Sequence, residues 1–409
     1  MKRIAIFCDG TWNRHDADHP TNVVQLAQNV KLTGTDGTVQ QVIYQLGVGS
    51  GEGSSKLVRT IDKVVGGAFG WGLEQNMAAV YRALVFNYEP GDEIYIFGFS
   101  RGAFTARSLV GLIRSGGIPS RGKPKHIDLA IARYRSGTAK NHPRTEESMA
   151  YRMRFSPKIA TSDWEVAWRQ ERGDADCQMI KMVYTGVWDT VGALGIPSII
   201  PAAPFINKRH QFHDTALSSS VQSARHAVAL DERRLTFKPA LWGNISDLNR
   251  DAAEPSAQHL PAWRRDRPYR QEWFPGDHAS IGGGWDSRDL SSETLRWIAK
   301  GAELSGLELN DGFLDGELAK RAVKGPVLKA NVGLATAALR LISGDRAGPA
   351  DLDEVANFTK ARVLCDAGYL PGSLRGVWRK IIDAIDRLTL DQLLPPRKAA
   401  TKEDERDAA

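Results

Sequence analysis

Asp92 to Ala103 reads D-E-I-Y-I-F-G-F-S-R-G-A, an apolar run that ends in G-F-S-R-G and passes straight into helical periodicity. Pro90-Gly91 marks a turn before it, and Glu93 to Phe99, rich in Ile, Phe and Tyr, has the composition of a buried strand. From Ala103 to Ile113, Ala, Leu, Val and Ile recur at helical spacing until Gly116-Gly117 stops them. Strand, sharp turn and helix give G-x-S-x-G its meaning. The serine sits in a strained conformation, and Gly98 and Gly102 fall where a side chain would strike the neighbouring strand or helix. Ser100 is therefore the expected nucleophile. The helix after it opens with N–H groups that lack intrahelical partners and with partial positive charge, so the N–H of Arg101 is the expected first arm of an oxyanion hole.

Working outward, Lys2 to Cys8 reads as a first buried strand ending at Asp9-Gly10-Thr11, and Val39 to Leu46 as a second, followed by G-V-G-S-G-E-G. Trp71 to Tyr88 repeats apolar residues at three and four, and Met179 to Trp188 is a further strand ending at Asp189. Strands alternating with helices predict an α/β class, a mostly parallel sheet covered on both faces. Ser120 to Asp176, with modest helical pieces at Met149 to Ile159 and Trp164 to Arg172, reads as an insertion of about 120–176 over the active-site end. Leu217 to Leu230 is expected to be helical, Thr236 to Gly243 and Arg270 to Phe274 strand-like, and Ser291 to Leu304 a helix. The organisation expected is a hydrolase-like unit over 1–305, a helical region over 306–395 with helices at Gly333 to Ile342, Leu352 to Ala361 and Leu374 to Leu388, and a disordered charged tail over 396–409.

A serine hydroxyl needs a base to take its proton and a carboxylate to orient that base. In elbow-bearing folds the order along the chain is Ser, Asp or Glu, His. Asp189, at the end of the strand K-M-V-Y-T-G-V-W, is the expected acid, with a helix cap as its alternative role. His278, between the strand-like E-W-F-P-G and I-G-G-G-W, is the expected base. His226 in A-R-H-A-V-A-L is its rival, read as lying in a helix. His15 and His19 are metal-ligand types, but a solvated loop is the preferred reading. Asp9-Gly10-Thr11 resembles the D-G-T of phosphatases with an aspartyl nucleophile, yet Phe7 stands where their first aspartate would be. Gly10 and Thr11 are instead expected to complete the oxyanion hole, with Asp9 holding their loop.

The chain has 409 residues, three widely spaced cysteines (Cys8, Cys177, Cys365) and a formal charge of +6, a mild bias toward anionic surfaces. Neither a disulfide framework nor a nucleic-acid motif is present, and no apolar run is long enough to span a bilayer. A cytoplasmic protein is expected, any export requiring a signal-independent route. The basic and aromatic stretch Trp263 to Trp273 reads as a solvated loop, with contact to a membrane surface as its alternative, and the proline-broken apolar segment Ala193 to Ile206 reads equally as a buried packing loop or as a contact for an acyl chain or bilayer.

The assembled segments resemble a known family, the uncharacterised α/β-hydrolase domain that includes the catalytic part of type VI secretion phospholipase effectors. F-C-D-G-T-W-N (Phe7 to Asn13), P-T-N-V (Pro20 to Val23), G-V-G-S-G (Gly47 to Gly51) and G-D-E-I-Y-I-F-G-F-S-R-G-A-F-T-A-R-S (Gly91 to Ser108) carry the likeness. So do G-V-W-D-T-V-G (Gly186 to Gly192), H-A-V-A-L-D-E-R-R (His226 to Arg234) and W-F-P-G-D-H-A-S-I-G-G-G (Trp273 to Gly284). The resemblance implies an α/β-hydrolase fold and metal-free ester hydrolysis by Ser100, Asp189 and His278, with no cofactor. It also implies an ester or phospholipid substrate. The alternatives are a non-catalytic binding module on the same scaffold and an aspartyl phosphatase using the Asp9 loop.

Overall fold

The computed structural model describes residues 1–10, 13, 16–47, 67–137, 141–174, 176–192, 216–254, 259–313, 343–366, 368–386 and 388–393. Its centre is a six-stranded sheet formed by β1 (Arg3–Cys8), β2 (Gln40–Gln45), β3 (Glu93–Phe99), β6 (Lys181–Trp188), β7 (Val221–Ala229) and β8 (Tyr269–Phe274). The spatial order is β2-β1-β3-β6-β7-β8, and every pairing is parallel. Two short strands, β4 (Ile159–Ala160) and β5 (Gln178–Met179), pair separately.

Parallel strands are covered on both faces, which is why β1 and β3 read as continuous apolar runs. Alternation sorts their side chains. Ile4, Ile6, Ile94 and Ile96 join Leu84 of the Gly67–Asn87 helix and Ala106, Leu109 and Ile113 of the Arg101–Gly116 helix on one face. Ala5, Phe7, Tyr95 and Phe97 meet Val23 and Leu26 of the Asn22–Gln28 helix and Leu295 and Ile298 of the Asp289–Leu304 helix on the other. Burying each such aliphatic or aromatic side chain contributes roughly 1.5–3 kcal/mol. The architecture is the α/β-hydrolase-like sheet that the strand and helix alternation predicts.

Leu217 to Leu230 is not helical: it holds β7, inserted between β6 and β8. Its Ala, Ser and His residues have weak local preference for a strand, and sheet pairing on both sides overrides it. Thr236 to Gly243 is not a strand, since a single 3-10 turn at Leu235–Phe237 leads into an irregular stretch held by one bridge between Val191 and Pro239. Pro239 has no N–H to give a ladder.

The insertion does not lie over the active-site end. The Arg101–Gly116 helix starts at the carboxyl ends of the strands and runs back to their amino ends, so the next segment of chain is delivered to the opposite edge. There the Glu146–Phe155 and Asp163–Gln170 helices, capped by Thr145 and Ser162, bring Arg152 to the carbonyls of Arg114 and Ser115. Ser156 and Ser220 bond across the same edge to Gly116 and Thr161.

After residue 342 the chain packs on the β7–β8 end of the sheet. Of the helices expected there, Leu352 to Ala361 is a 3-10 turn, Leu352–Glu354, followed by a helix, Asn357–Cys365. Leu374 to Leu388 contains the Trp378–Ile385 helix. Val355, Ala361, Leu374, Val377 and Ile381 pack on Val228 and Leu230 of the β7 end and on fully buried Trp273 of β8. Gly333 to Ile342 and the tail from 396 lie outside the described residues.

Candidate active site

Three strand ends meet at the carboxyl edge of the sheet. Ser100 follows β3 with its N–H donating to the Trp188 carbonyl at 3.0 Å, so the β3–β6 ladder holds its backbone. Its φ of 58° and ψ of −123° are costly for a residue with a side chain. The elbow is fixed by close packing: a Cβ on Gly98 would stand 2.6 Å from the Gly102 carbonyl oxygen, and one on Gly102 2.1 Å from that of Cys8. Neither position accepts any other residue, as the motif requires.

Asp189 follows β6, also at positive φ (35°), with its N–H on the Ala227 carbonyl at 2.7 Å. His278 follows β8 through Gly276, whose φ is 116°, and begins a short helix, His278–Gly282, capped by Asp277. Glu232 accepts from the N–H of His278 at 3.3 Å. The imidazole lies between the rings of Phe99 and Phe237, at centroid distances of 4.7 and 4.8 Å. Gly282 admits Phe99 to that position, because a Cβ there would fall 2.0 Å from its ring.

The geometry joins the three predicted side chains. His278 Nδ1 lies 2.6 Å from Asp189 Oδ2, and His278 Nε2 lies 2.7 Å from Ser100 Oγ. Burial, the largest influence on Asp189, pushes its carboxyl upward, but the guanidinium of Arg346 and the bond from His278 outweigh it and hold the group well below the usual carboxylate range. An ionised carboxylate only accepts. A neutral ring facing it therefore carries its proton on Nδ1 and turns the Nε2 lone pair to the serine hydroxyl.

Arg346 is the residue that sequence reasoning missed. It stands in S-G-D-R-A-G, a stretch with no periodicity and no motif, and only the fold brings it to Asp189.

His226 is not a rival base. It lies in β7 rather than in a helix, fully buried, with Nε2 accepting from the Thr190 N–H at 3.1 Å and Nδ1 3.0 Å from Gln271 Oε1. Burial, followed by the charge of Arg107, pushes its imidazole down to about 3, so it holds the strand as a neutral ring.

The Asp9 loop abuts the elbow, since the Cys8 and Asp9 carbonyls are the atoms a Gly102 side chain would strike. Asp9 accepts from the Gly10 N–H at 2.7 Å, from Thr21 Oγ1 at 3.0 Å and from Tyr44 Oη at 2.6 Å. Burial raises its carboxyl to about 6 against these bonds. A carboxylate enclosed by these donors and by the Asn13 side chain is a loop anchor and a poor nucleophile. The expectation that the Gly10 N–H serves an oxyanion meets a correction here, because Asp9 already occupies that donor. Thr11 lies outside the described residues.

His19 is an exposed loop side chain, in keeping with the solvated-loop reading. His19 pairs with Asp286 at 2.7 Å, while His15 is outside the described residues. The basic and aromatic stretch is largely structural: Tyr269 and Trp273 are buried in β8, Arg267 pairs with Asp353, and Arg270 bonds Glu272. Ala193 to Ile206 is outside the described residues. Among the described residues no helix is long and apolar enough to cross a membrane.

Among curated proteins, the chain is 30% identical over 244 residues to the uncharacterized protein YEL023C of Saccharomyces cerevisiae, which covers 58% of the chain. The chain spans about a third of that relative's length, 32%. Two solved structures are similar at 14% identity, each alignment covering 98% of the chain. One is the crystal structure of an uncharacterized protein from Pseudomonas aeruginosa, with a TM-score of 0.41 and 57% of that chain covered. The other is the Tle1 effector bound to the VgrG spike from the Type 6 secretion system, with a TM-score of 0.35 and 76% covered. A family model matches residues 2–301, nearly all of the sheet and its helices. By that match the chain belongs to the family of T6SS phospholipase effector Tle1-like catalytic domains.

Proposed function

We propose that the protein is a serine hydrolase that cleaves carboxylic esters of phospholipids. Ser100 Oγ attacks the ester carbonyl while His278 Nε2 takes its proton and later returns it to the leaving alcohol. Asp189 keeps the imidazole in the tautomer that leaves Nε2 free and balances the imidazolium as it forms. The N–H of Arg101, at the start of the Arg101–Gly116 helix, holds the oxyanion. Water then attacks the acyl-enzyme with His278 again as base, releasing a fatty acid.

The observation that carries this reading is the unbroken chain from Ser100 Oγ through the imidazole to Asp189, at 2.7 and 2.6 Å. Strain at two of its three positions, with φ of 58° and 35°, adds to it, because such conformations persist where surrounding structure enforces them. Membership in a family of phospholipase effector domains supports the lipid substrate.

Vesicles of phosphatidylethanolamine and phosphatidylglycerol, assayed beside soluble short-chain esters, test it. Fatty acid should be released from the vesicles by the wild-type protein. The Asp189→Asn variant should lose on the order of 10⁴ in kcat, because the amide favours the wrong tautomer. Intact vesicles and intact short esters in the presence of folded protein would sink the proposal.

A further inference from the structure

The oxygens of Asp189 are fully engaged. Oδ1 accepts from the Ala229 N–H at 2.9 Å and from Arg346 Nη1 at 2.6 Å. Oδ2 faces His278 Nδ1 at 2.6 Å and accepts from Arg346 Nη2 at 3.0 Å. A carboxylate offers about four lone-pair sites, and here each meets a donor, two of them from one planar guanidinium. The fork is itself held, since Arg346 Nη1 also donates to the Ala229 carbonyl and Nη2 to that of Phe237. Acid and arginine are both buried, at 0% and 9% exposure.

A carboxylate at a strand end, gripped by one backbone N–H and one imidazole, could still rotate about its χ2 torsion and exchange its oxygens. Two parallel bonds from a rigid guanidinium remove that freedom. Lysine, a point charge without a fork, would not. We propose that Arg346 is the positioning residue for the acid of the triad, fixing the plane of Asp189 so that only Oδ2 faces His278, and that it is supplied by chain beyond the 2–301 family match. The inference rests on the triad reading of Ser100, His278 and Asp189.

Arg346 also neutralises much of the charge that Asp189 would present to an imidazolium, so its contribution is geometry and ionisation rather than field strength. The charged and titratable groups around Asp189 are His278, Arg346, Arg234 and buried His226, with Glu232 facing the histidine. Without Arg346, burial would act on Asp189 against the His278 bond and the Ala229 N–H, with only the more distant Arg234 as a cation. The carboxyl would then take up a proton at higher pH than in the wild type, and a protonated acid cannot accept from Nδ1–H.

Steady-state kinetics across pH on wild type, Arg346→Met and Arg346→Lys, with Ser100→Ala as the blank, test this. Arg346→Met should lose on the order of 10²-fold in kcat, the scale of a misplaced catalytic group. KM should stay near the wild-type value, because Arg346 is buried behind Asp189 with its Nη atoms on protein acceptors. Its acid-side fall in activity should move to higher pH, and Arg346→Lys, a cation without a fork, should restore much of the pH profile but little of kcat. Variants that melt at lower temperature but keep the wild-type kcat and pH profile per folded molecule would overturn the proposal, leaving Arg346 a stabilising ion pair. If Arg346→Met does not fold, Arg346→Lys decides alone: unchanged kcat and profile overturn the idea. Wild type that turns over no faster than Ser100→Ala would instead remove the triad reading itself.

Discussion

Ser100→Ala should reduce kcat on phospholipid or short-ester substrates on the order of 10⁵–10⁶-fold, with circular dichroism and thermal midpoint unchanged. The chemical loss is large because the hydroxyl forms the covalent bond. The structural loss is small, because among the described residues Oγ bonds only the imidazole, while the backbone bond from Ser100 N–H to Trp188 and the packing of Gly98 and Gly102 are untouched. Members of a triad act as one unit, so adding His278→Ala should cost almost nothing more. A Ser100→Ala protein that turns over at the wild-type rate would end the nucleophile assignment.

Glu165→Gln should destabilise the fold by about 3–5 kcal/mol, because it leaves two buried cations with only the partly exposed Asp174, 3.5 Å from Arg169, as an anion. Glu165 lies between Arg152 and Arg169, with nitrogen–oxygen distances of 2.8 and 2.7 Å and all three side chains at most 1% exposed. Arg169 also donates to the carbonyls of Pro157 and Ile159, so the pair of guanidinia organises the whole insertion around one carboxylate. Urea unfolding monitored by fluorescence should show a lower midpoint. Replacing all three residues together by apolar ones of similar volume should recover much of the loss. A Glu165→Gln midpoint equal to the wild type would show that the network contributes nothing to the fold.

Much of the site was legible in the sequence for one physical reason. Ser100, Asp189 and His278 each stand where a buried apolar strand stops at a turn, and strand ends at the carboxyl edge of a parallel sheet converge on one place. Other parts were not legible. β7 was hidden because Ala, Ser and His say little locally, and only its place between β6 and β8 decides its state. The placement of the insertion could have been read: a helix of 16 residues spans the sheet from one edge to the other, so the chain after Gly116 must start at the far edge. Arg346 gave no signal, since it reaches Asp189 only through the packing of Val355, Leu374 and Ile381 against Val228, Leu230 and Trp273. That packing ties the chain after residue 342 to the sheet, beyond the span that the family match covers.

The measurement that bears most directly on the assignment is peptide mapping by mass spectrometry after reaction with a fluorophosphonate, which attaches only to a serine whose proton a neighbouring base removes. One adduct per chain is expected, on Ser100, absent from His278→Ala. An adduct on another residue, or ester hydrolysis that persists with Ser100 unmodified, would contradict it.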